Sequence, residues 1–362
     1  MDLENNSTVS KLKAVDFFCG AGGVTCGFKQ AGITVLGGID IDESCKETYE
    51  ANNLGSIFIN ADISKYSPSQ LESDLKISKN DDSLIFVGCS PCQYYTIINT
   101  SKEKSSKSRL LLEDFKLFVD YFRPGYILIE NVPGLGSKND SPLKSFKEFL
   151  QKNLYHFDEK IINAINYNVP QSRKRYVLVA SRVTEKITVP LPQPSEKMTV
   201  RNFISTENGF SKISAGFKDE TEFQHTCQGM SALNIRRLKH TPINGGTRLA
   251  WKDNDELQLE CYKGNDKLFY DVYGRMYWDT PSPTITTKFY SISNGRFAHP
   301  EQNRAISLRE GATLQSFPKN YIFHSKSIGK IARMIGNAVP PNMAKEIGNV
   351  FIKANINASI QS

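Results

Sequence analysis

Residues 13–40, KAVDFFCGAGGVTCGFKQAGITVLGGID, decide the fold of this 362-residue chain. An apolar run comes first, followed by closely spaced glycines, an amphipathic stretch, and a second apolar run that ends in an acid. This order of strand, glycine turn, helix and strand is that of a βαβ unit. Because glycines let a ligand approach the backbone, the stretch also predicts a binding loop between the first strand and its helix.

The same alternation continues further along the chain. Apolar runs occur at 83–88, 125–131 and 175–181, and a helical pattern occupies 111–122. Continuous apolar strands that alternate with amphipathic helices predict an α/β fold, in which helices cover both faces of a mostly parallel sheet.

The alternation ends near residue 185. The segment that follows is rich in turn-forming residues, has few periodic runs and contains both tryptophans. We therefore predict a first domain from residues 1–190 and 305–362, because helical patterns return near the C-terminus, and a second, smaller, irregular domain from 191–304.

Composition restricts the class of protein. The chain is 39% apolar and 23% charged, with a net charge of +7. No apolar run approaches the roughly 18 residues of a membrane span, and the N-terminus lacks the apolar core of a secretory signal. Seven cysteines, an odd number, do not suggest a disulfide framework. We therefore expect a cytoplasmic protein without a membrane partner, and its basic charge modestly favours a polyanionic partner.

The loop after the first strand carries a partial nucleotide-binding pattern. Gly20 and Gly22 form a G-x-G, but Thr25 takes the third glycine position, so a diphosphate is not clearly implied. Asp40 follows about 20 residues later, where an acid can accept hydrogen bonds from ribose hydroxyls. Asp62, after the next strand, could accept from an adenine amino group. Together these residues favour an adenosine-containing cofactor such as S-adenosylmethionine.

A Cys-x-x-Cys follows the strand at 83–88. Cys89 and Cys92 could form a redox pair, half of a zinc site, or one nucleophile beside a bystander. The other cysteines form no second Cys-x-x-Cys, and no histidine pair has ligand spacing, so a metal is not expected. The cysteines alone leave the redox and nucleophile alternatives open.

Further motifs resolve this ambiguity. Glu130 ends the strand at 125–131, which places a carboxylate at the same sheet edge as Cys92. With this addition the chain resembles the DNA cytosine-5 methyltransferase family of bacterial restriction-modification systems, from Lys13 to about Phe351. The motifs that carry the resemblance are DFFCGAGG (16–23), Asp40, NAD (60–62), PCQ (91–93), ENV (130–132), QSRKR (171–175), REGATLQSFP (309–318) and GNAVPP (336–341).

The resemblance implies a catalytic role for four residues. In this family the thiolate of the PCQ cysteine, here Cys92, attacks carbon 6 of a cytosine flipped out of the duplex. Glu130 would hold N3 and the amino group of the base, and Arg175 would hold O2. Arg173 would support the loop. Ser90 stands where many members have a proline, and Cys89 is then a packing residue.

The resemblance also implies the binding residues. The S-adenosylmethionine contacts would be Phe17, Gly20, Gly22, Asp40, Ile41, Asp62, Ile63, Asn337 and Ala338. The implied DNA contacts are Gln93 and the lysines of a mobile loop at 97–109 (Lys102, Lys104 and Lys107). The resemblance makes 191–304 the target-recognition domain, and Arg236, Arg237 and Arg248 are candidate DNA contacts because they belong to its densest basic cluster.

Three alternatives compete with this interpretation. An RNA methyltransferase shares the catalytic motifs, but the sizeable second domain argues against it. A catalytically silent homologue is disfavoured because Cys92, Glu130 and Arg175 are all present. A dithiol oxidoreductase would have no use for Glu130 or for QSRKR. We therefore expect a monomer that acts on double-stranded DNA. A restriction endonuclease that recognises the same site could accompany it.

Overall fold

A computed structural model describes residues 11–90, 102–137, 141–193, 198–264, 266 and 269–361. Within these ranges the strands are β1 (Lys13–Phe17), β2 (Thr34–Asp40), β3 (Ile57–Asn60), β4 (Leu84–Gly88), β5 (Tyr126–Asn131), β6 (His156–Asn163) and β7 (Lys174–Ser181). The helices are α1 (Gly23–Ala31), α2 (Lys46–Asn52), α3 (Pro68–Leu75), α4 (Lys102–Phe122), α5 (Gly134–Ser137), α6 (Leu143–Lys152), α7 (Arg201–Ile204), α8 (Ala232–His240), α9 (Leu308–Leu314), α10 (Ile328–Asn337) and α11 (Pro341–Gln361).

The strands form one sheet in the order β3-β2-β1-β4-β5-β7-β6. The pairs β1–β2, β1–β4, β2–β3 and β4–β5 are parallel, whereas β7 is antiparallel to β5. The predicted α/β class is therefore confirmed. Because β4 lies on the opposite side of β1 from β2, the strand order reverses between β1 and β4, and such a switch point leaves a crevice at the carboxyl edge of the sheet.

Aromatic packing holds the centre of the sheet to α4. The Phe17 ring packs edge-to-face against Phe86, Phe115 and Phe118, each with a centroid distance of 5.1 Å. Such edge-to-face pairs contribute about 0.5–1.5 kcal/mol each beyond area burial. These contacts fix the positions at which β1 and β4 end, and therefore the positions of the loops that follow.

Two compact units make up the chain. The first comprises residues 1–162, 174–192 and 343–362, and the second comprises 163–173 and 193–342. Residues 163–173 and 305–342 therefore pack with the second unit rather than with the sheet-bearing unit to which the sequence analysis assigned them. One reason is that the Ala305 carbonyl accepts from Cys227 Sγ at 3.3 Å, and the Leu308 N–H of α9 donates to the Thr226 carbonyl at 2.9 Å. The functional division into domains remains a prediction.

Helix α4 begins earlier than the sequence analysis expected. Its first residue is Lys102, whereas the helical pattern was predicted over 111–122 and a loop over 97–109. The segment KEKSSKSR contains neither proline nor glycine, and its lysines and glutamate are good helix formers, so the helix extends toward the N-terminus. Among the described residues, no helix is long and apolar enough to cross a membrane.

Candidate active site and cofactor site

The carboxyl edge of the sheet brings the predicted motifs of the first unit together. Phe17, the last residue of β1, lies opposite Gly88 of β4, and Gly88 lies opposite Ile129 of β5. The loop after β1, the segment after β4 and Glu130 therefore start side by side at the switch point.

The loop after β1 has an unusual backbone. Phe18, Gly20 and Gly22 have φ angles of 62°, 51° and 85°, which lie in the left-handed region. A Cβ atom added at Gly20 would meet nothing within 4 Å, so the loop faces open space at this position. Gly22 then forms the N-terminal boundary of α1. Because glycine tolerates positive φ, the two glycines allow the tight turn from strand to helix.

Asp40 at the end of β2 is tied to this loop. Its Oδ2 accepts a hydrogen bond from the Gly20 N–H at 2.8 Å, and its Oδ1 accepts from the Asp42 N–H at 2.8 Å. Burial raises the pKa of the Asp40 carboxyl, although the two N–H groups oppose the shift. Each carboxylate oxygen can accept a second hydrogen bond, so Asp40 can also accept from ligand hydroxyls.

Two further predicted cofactor contacts, Ile41 and Asp62, also lie in loops that follow strands of the sheet. Ile41 is 68% exposed directly beside Asp40, which leaves an apolar side chain free to pack against a ring. Asp62 accepts hydrogen bonds from the backbone N–H and the hydroxyl of Ser64 at 3.1 and 2.8 Å. These bonds fix the Asp62 carboxylate in the loop after β3, where it can accept from an amino group.

Two predicted cofactor contacts need correction. Phe17 is fully buried among three phenylalanine rings, so its side chain has no surface for a ligand. The Ile63 side chain is likewise buried in the core, and only its backbone could make a contact. Phe18, which is partly buried and has positive φ, is the aromatic residue that the loop presents.

The structure adds Asp16 to this region. Thr25 Oγ1 donates to Asp16 Oδ2 at 2.8 Å, and burial raises the pKa of this carboxyl to about 7 despite that bond. Thr25 lies in α1, so this buried bond joins the end of β1 to the helix that follows the glycine loop. The sequence could have indicated Asp16, because it is the first residue of the DFFCGAGG motif.

Cys89 and Ser90 follow β4 at the same edge. Burial raises the pKa of the Cys89 thiol well above its usual value, and the nearby carboxylates of Glu130 and Asp16 raise it further. Asn131 Nδ2 donates to the backbone oxygen of Ser90 at 3.0 Å and to its hydroxyl at 3.2 Å. Asn131 thus holds the start of the segment that leads to Cys92.

Glu130 and Arg175 form an ion pair at this edge. The Arg175 Nε lies 3.0 Å from Glu130 Oε1, and both side chains are largely shielded from solvent. The antiparallel pairing explains the contact, because Asn131 lies opposite Tyr176 and so the end of β5 lies beside the start of β7. The pair sets a carboxylate and a planar cation side by side, a set that can bind the polar edge of a base.

Arg173 has a different position from the one expected of a catalytic residue. It belongs to the second unit and is buried, where its guanidinium donates to the carbonyls of Ile285, Gly336 and Ala338 at 3.1, 3.2 and 3.1 Å. Arg173 therefore positions the GNAVPP segment; this is a supporting role, as the resemblance implies, and not a direct catalytic one.

The GNAVPP segment presents Asn337 at the surface and Ala338 partly exposed. A Cβ atom at Gly336 would lie 2.4 Å from the Thr286 carbonyl carbon, so this position requires glycine. Arg173 holds the carbonyls on both sides of Asn337, which fixes this residue within the second unit.

Two of the three predicted DNA-contacting arginines are also corrected. Arg237 is buried, donates to the Leu257 carbonyl at 2.7 Å, and lies over the rings of Trp251 and Tyr273. Arg248 is fully buried with its guanidinium 4.3 Å from the Tyr262 centroid. Both therefore stabilise the second unit from inside. Arg236 is exposed on α8 and forms an ion pair with Glu256.

Several predicted residues lie outside the described part of the chain. Cys92 and Gln93 fall between residues 90 and 102, so the structure does not describe them. Lys102, Lys104 and Lys107 lie in α4, of which only the backbone is described there. Within the described ranges, no cluster of histidine, cysteine, aspartate and glutamate could hold a metal ion.

The sheet, with its parallel strands β1 to β5 and the glycine loop after β1, is that of a Rossmann-like α/β fold. The chain belongs to the C-5 cytosine-specific DNA methylase family, whose profile matches residues 12–353. Members of this family are DNA (cytosine-5)-methyltransferases that take the methyl group from S-adenosylmethionine, which confirms the predicted enzyme class and cofactor.

Individual relatives agree with this assignment. The chain is 38% identical to the Type II methylase M.HgiDII of Herpetosiphon aurantiacus, over 92% of this chain and 93% of that protein. It is 30% identical to the Type II methyltransferase M1.BsuMI of Bacillus subtilis, over 93% and 79%. The fold is shared by a solved structure whose title describes a DNA modification methyltransferase encoded within a prophage (E. coli), with a TM-score of 0.72 and 21% identity, over 96% of this chain and all of that one.

The residues of the first unit fit S-adenosylmethionine. The Asp40 carboxylate suits ribose hydroxyls, the exposed Ile41 suits the face of an adenine, and the Asp62 carboxylate suits its amino group. The open face of Gly20 leaves room beside them.

Replacing Asp40 by alanine is expected to weaken S-adenosylmethionine binding by about 1.5–3 kcal/mol, because charge-assisted bonds to the ribose are lost. Calorimetric titration of the variant measures this. Asp42→Ala is the matched control, since the Asp42 carboxylate accepts from Ser44 in a local cap. Unchanged affinity in a folded Asp40→Ala protein would show that the ribose binds elsewhere.

Proposed function

We propose that this enzyme methylates carbon 5 of a cytosine that has been flipped out of a specific double-stranded DNA sequence, by way of a covalent bond to Cys92. The observation that carries the proposal is the Glu130–Arg175 pair at the carboxyl edge, beside Cys89 and Ser90. Cys92 follows Ser90 by two residues in the sequence.

The shielding of this pair favours a flipped base as the substrate. A base inside a duplex cannot reach an acceptor that is largely covered by protein, whereas an extruded base can enter the crevice. Glu130 would hold N3 and the amino group of the cytosine, and Arg175 would hold O2. These contacts orient carbon 6 toward the incoming thiolate.

The chemistry then follows from the residues. The Cys92 thiolate adds to carbon 6, and the protonated Glu130 carboxyl donates its proton to N3, which neutralises the negative charge that develops on the ring. Carbon 5 becomes electron-rich as a consequence, and it accepts the methyl group that bound S-adenosylmethionine would supply, with S-adenosylhomocysteine as the leaving product. Loss of the carbon 5 proton and of the Cys92 thiolate restores the aromatic ring as 5-methylcytosine.

Cys89 is not suited to this role. Its raised pKa keeps it a thiol at neutral pH, whereas nucleophilic attack requires a thiolate. The neighbouring carboxylates of Glu130 and Asp16 would also repel a negative charge at its sulfur. This environment supports Cys92 as the single nucleophile and argues against a redox pair.

We also propose that residues 191–304 read the DNA sequence and that the enzyme acts as a monomer in the cytoplasm of a bacterium. The relatives named as Type II methylases support a restriction-modification context, in which an endonuclease would recognise the same site. Arg236 is the exposed member of the predicted arginines and, with Lys102, Lys104 and Lys107, remains a candidate for phosphate contacts.

Bisulfite sequencing of DNA from a non-methylating host that expresses the chain tests this function. We expect 5-methylcytosine at one recurring sequence context on double-stranded DNA, because a reading domain restricts the sites. Absence of 5-methylcytosine in DNA, with the folded protein present, would contradict the proposal, and methylation of RNA alone would favour the RNA methyltransferase alternative.

A further inference from the structure

An exposed aromatic surface lies on the second unit and is used by none of the contacts described above. Tyr270 and Tyr277 are 51% and 44% exposed, and both rings flank the guanidinium of Arg296. The guanidinium carbon lies 5.9 Å from the Tyr270 centroid and 5.3 Å from the Tyr277 centroid. We call these two rings, with the segment Ile243–Gly245 that adjoins Tyr277, the Tyr270–Tyr277 surface.

Arg296 anchors this surface rather than projecting from it. Its Nη1 donates to the carbonyls of Gly245 and Arg275 at 2.9 and 3.0 Å. Its Nε donates to Asp271 at 2.8 Å, and its Nη2 lies 2.7 Å from the same carboxylate. The positive charge is thus neutralised and the side chain is fixed between the two rings.

The backbone beneath Tyr277 is equally constrained. A Cβ atom at Gly245 would lie 1.9 Å from the Tyr277 Cε1 atom, so the ring can rest against the loop only because the residue is glycine. The neighbouring Asn244 accepts from the Trp278 N–H at 2.7 Å, and its own N–H donates to the Pro300 carbonyl at 2.8 Å. Tyr277 is therefore presented in one position.

The charge balance of the Tyr270–Tyr277 surface favours contact with the bases of DNA over contact with its phosphates. Phosphate contacts require unneutralised cations or free donors, whereas here Asp271 balances Arg296 and is itself half exposed. Rigid, exposed aromatic rings instead suit apolar contacts with base edges, including thymine methyl groups in the major groove. They also lose little conformational entropy on binding.

We propose that Tyr270 and Tyr277 determine the sequence specificity of this enzyme by contacting base edges in the major groove of double-stranded DNA. This inference rests on the proposed function, since it assigns the reading surface of that activity. The proposal assigns the base contacts to these two tyrosines and not to Arg237 and Arg248, which are buried.

The test compares methylation rates on the cognate site and on sites with single base-pair changes. For Tyr277→Ala we expect the discrimination at one base pair to fall by about 10- to 100-fold, because the apolar contact with that pair is lost. Gly245→Ala should reproduce this loss by displacing the ring. Cofactor affinity, measured on the same proteins, should stay unchanged.

Two matched controls separate this effect from general damage. Phe217→Ala removes a ring of the same unit that is 43% exposed. Gly209→Ala adds a methyl group at a φ of 85° where nothing lies within 4 Å, so it has the backbone strain of Gly245→Ala without the clash. Both should keep wild-type discrimination.

Folded Tyr277→Ala and Gly245→Ala proteins that retain wild-type discrimination at every base pair would overturn the inference. An equal loss of rate on all sequences would also overturn it, because that result indicates a backbone contact. A wild-type protein that methylates no DNA would instead contradict the proposed function, so the two failures are distinguishable.

Discussion

Cys92→Ser is expected to abolish methylation, with a loss of rate of at least about 10³-fold, while DNA and cofactor binding persist. The reason is that a serine hydroxyl at neutral pH is a far weaker nucleophile than a thiolate. Methyl transfer to duplex DNA, together with a DNA-binding measurement on the same protein, checks this expectation.

Cys89→Ala is the matched control for this substitution. Cys89 lies three residues earlier, and its buried thiol has a pKa raised by desolvation and by Glu130 and Asp16. We expect an active protein with a packing loss of at most about 1 kcal/mol. Loss of activity in folded Cys89→Ala, or activity in Cys92→Ser, would contradict the single-nucleophile assignment.

Glu130→Gln is expected to lower kcat by about 10²–10³-fold, because an amide cannot give a proton to N3 as negative charge develops on the cytosine ring. The amide has nearly the same size as the carboxylate, so the fold and the cofactor affinity should be kept. Single-turnover methylation measures the chemical step directly.

Asp82→Asn provides the control for Glu130→Gln. Asp82 forms an ion pair with Arg182 at 2.6 Å. Asp82 precedes β4 and Arg182 follows β7, so the pair lies at the edge of the sheet away from Glu130. The Asp82→Asn substitution should leave kcat within about twofold of the wild type, as surface substitutions usually do. Equal losses in the two variants would show that Glu130 acts only through stability.

The parallel sheet and its catalytic edge could be predicted because chain direction determines them. Apolar runs such as 83–88 and 125–131 are buried on both faces, and the residues that follow parallel strands meet at one edge. Cys89 and Glu130 therefore lie close together because of the sheet topology, and the order of strands and helices in the sequence predicts that topology. The antiparallel β7 adds Arg175 to that edge at the start of its strand.

Burial of individual side chains could not be predicted in the same way. Phe17 and Phe18 are chemically equal neighbours, but Phe17 is fully buried in the core, whereas Phe18 has positive φ and is only partly buried against it. Arg237 and Arg248 look like surface cations in the sequence. Their partners Leu257 and Tyr262 lie many residues away, and only tertiary packing supplies these acceptors and rings.

Trapping on modified DNA tests the central claim, that Cys92 forms the covalent bond to the substrate, most directly. Duplex DNA with 5-fluorocytosine at the target position should become covalently bound to the enzyme when S-adenosylmethionine is present. Fluorine at carbon 5 cannot leave as a proton does, so the cysteine is not released. We predict that peptide mapping of the adduct identifies Cys92, and an adduct on Cys89 or any other residue would contradict the account.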